Sequence, residues 1–428
     1  VANRTRPPLV VVLAVLVVGV GLLTSLTHAH NSSKVPHGLS VSNNAQSTAL
    51  YCTGLTSTKP VGHVTFYNSS TSTRQVSVNV VSDTGHDDAT VLNIPARTSD
   101  AIQPSVLDAG NTFAVAAQVS GSGVVADEVT GGDKVSAPCV AAGVHQWFAT
   151  GFDTLVGSTA TVSLYNPTGT AAVVNASIYT ANGFVAPQSF QGVSVAAHTQ
   201  TELNLGSQVV NTSNIGVAVH VLRGSLAITG VQDSNGTVSL NAGSTRATTT
   251  AWFPDVTTVN GATAQVRVAN PSPNPTQITL HVALGKFDVA PQTLTLAPYQ
   301  TSAITITPNS AIPAAGYATL KLRASGPVIS SLATGGGKWI SLSAPATLGS
   351  FFLIRNFSGL GFDAATVTNT STHSVSFSLS DDNDGDVSGV SATPETIAAG
   401  ATESLLSLAP TLATSTTSTF VLSASSNA

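Results

Sequence analysis

Ala160-Thr161-Val162-Ser163-Leu164-Tyr165-Asn166-Pro167 alternates apolar with hydroxyl-bearing residues and then stops at an Asn-Pro pair. Its period is two, not 3.6, which describes a half-buried β-strand running into a turn. The pattern recurs as Val64-Thr65-Phe66-Tyr67-Asn68, Val266-Arg267-Val268-Ala269-Asn270 and Ala365-Thr366-Val367-Thr368-Asn369. The four asparagines lie 98, 104 and 99 residues apart. A turn former follows each one: Ser69, Pro167, Pro271 and Thr370. A long internal period of this kind marks a repeat architecture.

Two further landmarks keep the same order in every unit. Ile94-Pro95-Ala96, Val195-Ala196-Ala197, Leu296-Ala297-Pro298 and Ile397-Ala398-Ala399 recur at a constant 101 residues. An aromatic pair or its equivalent opens each unit: Tyr51-Cys52, Trp147-Phe148, Trp252-Phe253 and Phe351-Phe352. These pairs are expected to be core residues. A hairpin is expected near the end of the first three units, at Ser120-Gly121-Ser122-Gly123, Arg223-Gly224 and Ser325-Gly326. Short alternating strands with turns every 8–12 residues predict a sandwich of two antiparallel sheets. Units of about 100 residues have the size of an immunoglobulin-like domain. The fold class expected is therefore all-β, with four tandem immunoglobulin-like antiparallel β-sandwich repeats after one N-terminal transmembrane helix. The boundaries are 1–30 for a membrane anchor or signal segment and 31–47 for a flexible stalk. Repeats follow at 48–143, 144–246 and 247–347, with a shortened one at 348–428.

Composition agrees with exported β-sandwiches. Charged residues make up only 8% of the 428, with hydrophobic residues at 42%. A disordered chain would show the opposite balance. A formal charge of −5 offers no basic field for nucleic acid. Of the two cysteines, Cys52 lies on the opening strand of the first repeat and Cys139 just past its closing strand. A disulfide between them would join the ends of one domain outside the reducing cytosol.

Leu9 to Leu26 is an 18-residue apolar run preceded by Arg4 and Arg6. At 1.5 Å per residue it reaches about 27 Å, the thickness of a bilayer core. The arginines place the amino terminus inside and the rest outside. The run exceeds the usual apolar region of a signal peptide, so an uncleaved plasma-membrane anchor is expected. Thr27-His28-Ala29 keeps secretion after cleavage as the alternative.

Catalytic signatures are missing. There is no Gly-x-Ser-x-Gly, His-Glu-x-x-His, Cys-x-x-Cys or phosphate-cradling glycine loop. Asp127 and Glu128 are neighbours, so a strand points them to opposite faces and they do not form a catalytic carboxylate pair. No cofactor is expected. Ser380-Asp381-Asp382-Asn383-Asp384-Gly385-Asp386 resembles the start of a calcium loop, with Asp382, Asp384 and Asp386 as candidate ligands. The twelfth position is Ser391 rather than Glu, and a solvated acidic turn is the plainer reading. Trp339, beside Gly335-Gly336-Gly337-Lys338, is the candidate for stacking on a glycan. In the fourth unit the strand Phe420–Ala424 aligns with the one before the final turn, and the sequence ends where a closing strand is expected. That edge would invite a partner strand.

The layout resembles an uncharacterised family of secreted or membrane-anchored actinobacterial proteins with tandem sandwich repeats. Cys52, Trp147-Phe148, Trp252-Phe253, Tyr165-Asn166-Pro167 and Ala269-Asn270-Pro271 carry the resemblance, from which the fourth unit departs by lacking Trp at its opening. It implies a cell-envelope location and no activity. The function expected is a non-enzymatic, membrane-anchored extracytoplasmic scaffold or adhesion-type protein. Its partner is a protein or glycan of the envelope. The alternative is an array of cell-wall carbohydrate-binding modules.

Overall fold

A computed structural model describes residues 47–57, 61–85, 87–130, 135–257, 263–284, 287–307, 317–335, 341–343, 351–355, 366–381, 395–399, 401–404 and 419–424. Among them the chain is almost entirely antiparallel β-structure, arranged in four sets of strands. The first set holds β1 (Ser47–Thr56), β2 (His63–Asn68), β3 (Arg74–Ser82), β4 (Asp87–Ile94), β5 (Ser99–Ile102), the short helix α1 (Pro104–Leu107), β6 (Thr112–Ser120), β7 (Val124–Thr130) and β8 (Val135–Pro138). Its two sheets run β1-β6-β3-β4 and β5-β2-β7-β8. The second set holds β9 (Gln146–Phe152), β10 (Ser158–Tyr165), β11 (Ala172–Thr180), β12 (Gly183–Val185), β13 (Val193–Val195), β14 (Gln200–Asn204), β15 (Ile215–Arg223), β16 (Ala227–Ser234) and β17 (Thr237–Asn241). Its sheets run β9-β15-β11-β12 and β14-β10-β16-β17, the same order position for position, with β13 also on β11.

In the third set are β18 (Thr248–Thr257), β19 (Thr263–Ala269), β20 (Thr276–Leu284), β21 (Phe287–Leu296), β22 (Thr301–Ile306), β23 (Tyr317–Gly335) and β24 (Ser341–Ser343). Here β23 serves both sheets. Its first half lies between β18 and β20, and its second half between β19 and β24. The fourth set holds β25 (Phe351–Arg355), β26 (Thr366–Thr368), β27 (Val375–Asp381), β28 (Glu395–Ile397), β29 (Thr402–Ser404) and β30 (Thr419–Ala424). Its described strands pair as β25-β30-β27-β28 and β26-β29.

The expected hairpins at the glycine pairs are sheet changes instead. β6 and β7 do not pair: β6 lies between β1 and β3, and β7 between β2 and β8. Gly121 and Gly123 take φ of +96° and +92°, which lets the chain turn from one sheet to the other. At Ser325-Gly326 the strand crosses without a break, within β23.

Each of the first three sets encloses its own core between two sheets. In the second, Ala160, Val162 and Leu164 of β10 face Val174, Ala176 and Ile178 of β11, all fully buried. The outward residues of β10 are not all solvated, contrary to a half-buried strand. Ser163 and Tyr165 are also buried, Tyr165 against Val81 and Ala114 of the first set. The structure also shifts the aromatic landmark by one residue. Trp147 lies in the core, donating Nε1–H to the Ala242 carbonyl at 2.8 Å, and Phe148 faces outward under the third set. In the third set the parity reverses: Phe253 is in the core and Trp252 is outside it, half-buried, with Lys321 Nζ 4.3 Å from its ring. Tyr51, Phe148 and Trp252 are therefore the equivalent residues. A one-residue slip on a strand exchanges faces, and adjacent aromatics hide it.

The recurrent asparagine explains the first two landmarks together. Asn166 Nδ2 donates to the carbonyls of Thr170, Val195 and Ala196 at 2.8, 3.0 and 3.0 Å. Its Oδ1 accepts from the Thr168 N–H and hydroxyl at 3.0 and 2.7 Å. Asn68, Asn270 and Asn369 make the same donor contacts, each reaching its own Ile-Pro, Leu-Ala or Ile-Ala pair. Only an amide suits this place, because three carbonyls need a donor and one N–H needs an acceptor. Asn166→Ala should cost about 3 kcal/mol, since buried carbonyls lose their donor. Asn166→Asp should be comparably destabilised at neutral pH and recover as the carboxyl is protonated. Urea unfolding at pH 7 and pH 4 checks both.

Candidate functional site

The distinctive chemistry of this chain lies where one set meets the next, and it begins with bulges in the opening strands. The β1–β6 register shifts between Cys52 and Leu55, and the β15–β9 register shifts opposite Gly151. A bulge leaves backbone groups outside the ladder. At the first, the freed Gly54 N–H donates to Glu128 Oε2 at 2.7 Å. Glu128 stands on β7, fully buried, and its Oε1 accepts from the Thr229 hydroxyl of the second set at 2.9 Å. Burial pushes the Glu128 carboxyl up to about 7, the hydrogen bonds from Gly54, Thr229 and Thr53 pull against it, and the Asp127 charge adds to the rise. Val135 and Ala137 pack beside this contact against Val231, Val238 and Leu240.

At the second bulge the freed group is a carbonyl. Arg267 on β19 donates from Nη1 to Gly151 O at 2.6 Å and to Asp153 Oδ2 at 2.9 Å. The pair is buried, with side-chain exposures of 7% and 5%. Asp153 Oδ1 accepts from the Asn214 N–H at 2.7 Å, so both carboxylate oxygens are used. Ser331 of the third set donates to the Thr150 carbonyl at 2.7 Å. Phe148, Tyr179 and Ala218 complete the contact against Ala269 and Ile329. The first and second sets, and the second and third, thus share buried polar and apolar contacts. Thr319 and Thr368 hydroxyls meet at 2.9 Å between the third and fourth.

A groove of about 560 Å³ opens at the first junction. Tyr51, Ser77, Asn79 and Gln118 line it from the outer face of the first set, over a floor that includes Ala116. Tyr165, Pro167 and His198 wall it from the second set. The Tyr51 and Tyr165 rings lie 6.0 Å apart, tilted by 41°. Burial pushes the Tyr165 hydroxyl up to about 12, with smaller contributions from Tyr51 and Asp87. None of the lining residues is Asp, Glu, Lys or Arg.

The structure joins Cys52 and Cys139 by a disulfide with Cα atoms 4.6 Å apart, tying β1 to the chain beyond β8. Trp339, Asp382, Asp384 and Asp386 lie outside the described residues, as does the Leu9–Leu26 run. Among the described residues no cluster of three His, Cys, Asp or Glu could hold a metal, and no helix is long and apolar enough to cross a membrane. Asp83, in the turn after β3, accepts from the Asn111 N–H at 2.9 Å. The junction residues Glu128, Asp153 and Arg267 went unassigned in the sequence reading. Their signal was a charge set within an apolar strand or at its end, in a chain with very few charges.

A model of a family of unknown function (DUF5719) matches residues 123–247. That span takes in β7 through β17, hence both sides of the first junction. No curated protein matches. The crystal structure of Thermotoga maritima 1070 is similar over 24% of this chain and 96% of its own, at 12% identity and a TM-score of 0.22. The Amycolatopsis orientalis exo-chitosanase CsxA is similar over 49% of this chain and 26% of its own, at 12% identity and 0.14. A tetra-tandem repeat in the extending region of a large adhesion protein is similar over 85% and 88%, at 14% identity and 0.12. These scores are too low to support an argument about fold or function.

Two outcomes follow from the junction chemistry. Arg267→Ala strands a buried carboxylate and should cost about 3–5 kcal/mol in denaturant unfolding, whereas the exposed Arg323→Ala should fall within about 0.5 kcal/mol of wild type. The Glu128 carboxyl is raised above its ordinary 4.5 to about 7, so the fold favours its protonated form. Its contribution is fully present below pH 4.5 and is lost as pH rises through about 7. Wild-type thermal midpoints should fall across that window, and Glu128→Gln should flatten the fall.

Proposed function

We propose that this chain is a non-enzymatic, extracytoplasmic scaffold or adhesion-type protein of the cell envelope, held at the plasma membrane by Leu9–Leu26. The observation that carries this reading is the pair of closed junctions. Buried contacts at Glu128–Thr229 and Arg267–Asp153 oppose independent motion of successive units, as a load-bearing or surface-presenting chain requires. The Cys52–Cys139 disulfide favours an oxidising compartment.

The four sets are read as tandem immunoglobulin-like repeats. An immunoglobulin sandwich pairs its second strand with its fifth and its third with its sixth. The first set pairs β2 with β5 and β3 with β6. Its first and seventh strands have exchanged neighbours relative to that order, β1 standing beside β6 and β7 beside β2.

A second reading, recognition of cell-wall glycan, is favoured by the uncharged groove of amides, hydroxyls and tyrosines at the first junction. Protease treatment of intact cells, followed by fractionation, tests the scaffold. The chain should sediment with membranes and be cut from outside. Recovery in the soluble cytosol, protected from protease, would contradict it. Sedimentation of the full chain with protein-stripped cell wall tests the second reading.

A further inference from the structure

A turn residue held in an unfavourable conformation points into each of the first two junctions. Arg97, His198 and Tyr299 directly follow the second landmark of their sets, and their φ angles are +60°, +56° and +59°. Glycine is the residue favoured in this left-handed region, and Gly400 occupies the equivalent place in the fourth set. A bulky side chain kept at such a position calls for a use that glycine cannot serve. His198 lines the groove over the first set. Tyr299 reaches over the second set, 5.7 Å from the ring of Phe184, which is 49% exposed and lies 5.7 Å from Tyr179.

The two places correspond residue by residue. Strand register puts Asn79 opposite Ala116, and Ser177 opposite Ala218. Gln118 of the first groove has His220 as its counterpart, whose ring meets Phe148 edge-on at 5.8 Å. At the second junction the equivalent floor residue, Ala218, is fully buried against Ala269 and Ile329, so only the first junction leaves its floor open as a groove.

We propose that the groove between the first and second sets binds an uncharged oligosaccharide, with His198 standing over it. This rests on the glycan reading above. The cleft volume is in the range of small-ligand sites. Amide and hydroxyl groups offer both donors and acceptors to sugar hydroxyls. Alanines leave the sheet surface open for close approach. The absence of Lys and Arg from the lining selects against phosphate and acidic ligands. The β3 and β6 backbones beneath are paired on both sides within the sheet, so a peptide cannot add as a strand over them.

The test is calorimetric titration of the full 428-residue chain with cellohexaose, maltohexaose and N-acetylchitohexaose, and with polygalacturonate as the charged comparison. At least one neutral saccharide should bind more tightly than polygalacturonate. Asn79→Ala and Gln118→Ala should each weaken it about tenfold, the effect of one lost hydrogen bond. His198→Gly should weaken binding while leaving the thermal midpoint unchanged, because glycine adopts that backbone without strain. No binding of the neutral saccharides, tighter binding of polygalacturonate, or binding untouched by all three variants overturns the proposal. So does a His198→Gly variant that loses stability and keeps binding. If cell wall still sediments the chain in any of those cases, the glycan reading survives without this groove. If it does not, both fall.

Discussion

A buried amide holds each set of this chain together. Four asparagines, at the end of four equivalent strands, donate to carbonyls on a distant turn and accept from the residue two places on. The contact closes about 26 to 30 residues of chain and fixes the place where the chain leaves β2 or its counterpart relative to the turn before β5 or its counterpart. With few ionic groups available, the chain uses amide and hydroxyl bonds for work that salt bridges often share elsewhere. The hydroxyl at the third position of Asn-x-Ser/Thr belongs to the same device in the first three sets, where it binds the asparagine oxygen.

Among the described strands, the buried charged side chains, Glu128 and Arg267, stand at the joints. Glu128 and Arg267 each face a backbone group released by a bulge in an opening strand. A bulge, a buried ionisable side chain and a hydroxyl or carboxylate from the neighbouring set recur at two joints with opposite polarity. At one an N–H meets a carboxyl, and at the other a carbonyl meets a guanidinium. Such contacts contribute little net stability compared with apolar packing, but losing one partner is costly. They therefore specify how neighbouring sets meet more than they hold them.

Much of this was legible in the chain itself. The period-two alternation at Ala160–Tyr165 and the asparagine period located the strands, and Cys52 and Cys139 were correctly paired by position. Adjacent aromatics concealed which of Trp147 and Phe148 faces the core, because facing depends on register and a bulge, not on residue type. Glycine pairs read the same in a hairpin and in a sheet change, so Gly121 and Gly123 misled. The groove was beyond reach because it needs Tyr51 and His198 together, almost 150 residues apart by sequence. Only the packing of one set on the next brings them there.

The central claim is that the joints make successive sets act as one body. Scanning calorimetry of the full chain tests it most directly, by comparing the calorimetric with the van't Hoff enthalpy. The account predicts that the first three sets unfold in one cooperative transition, which splits when Arg267 is replaced by Ala. Three separate transitions in the unaltered chain, indifferent to that substitution, would contradict it.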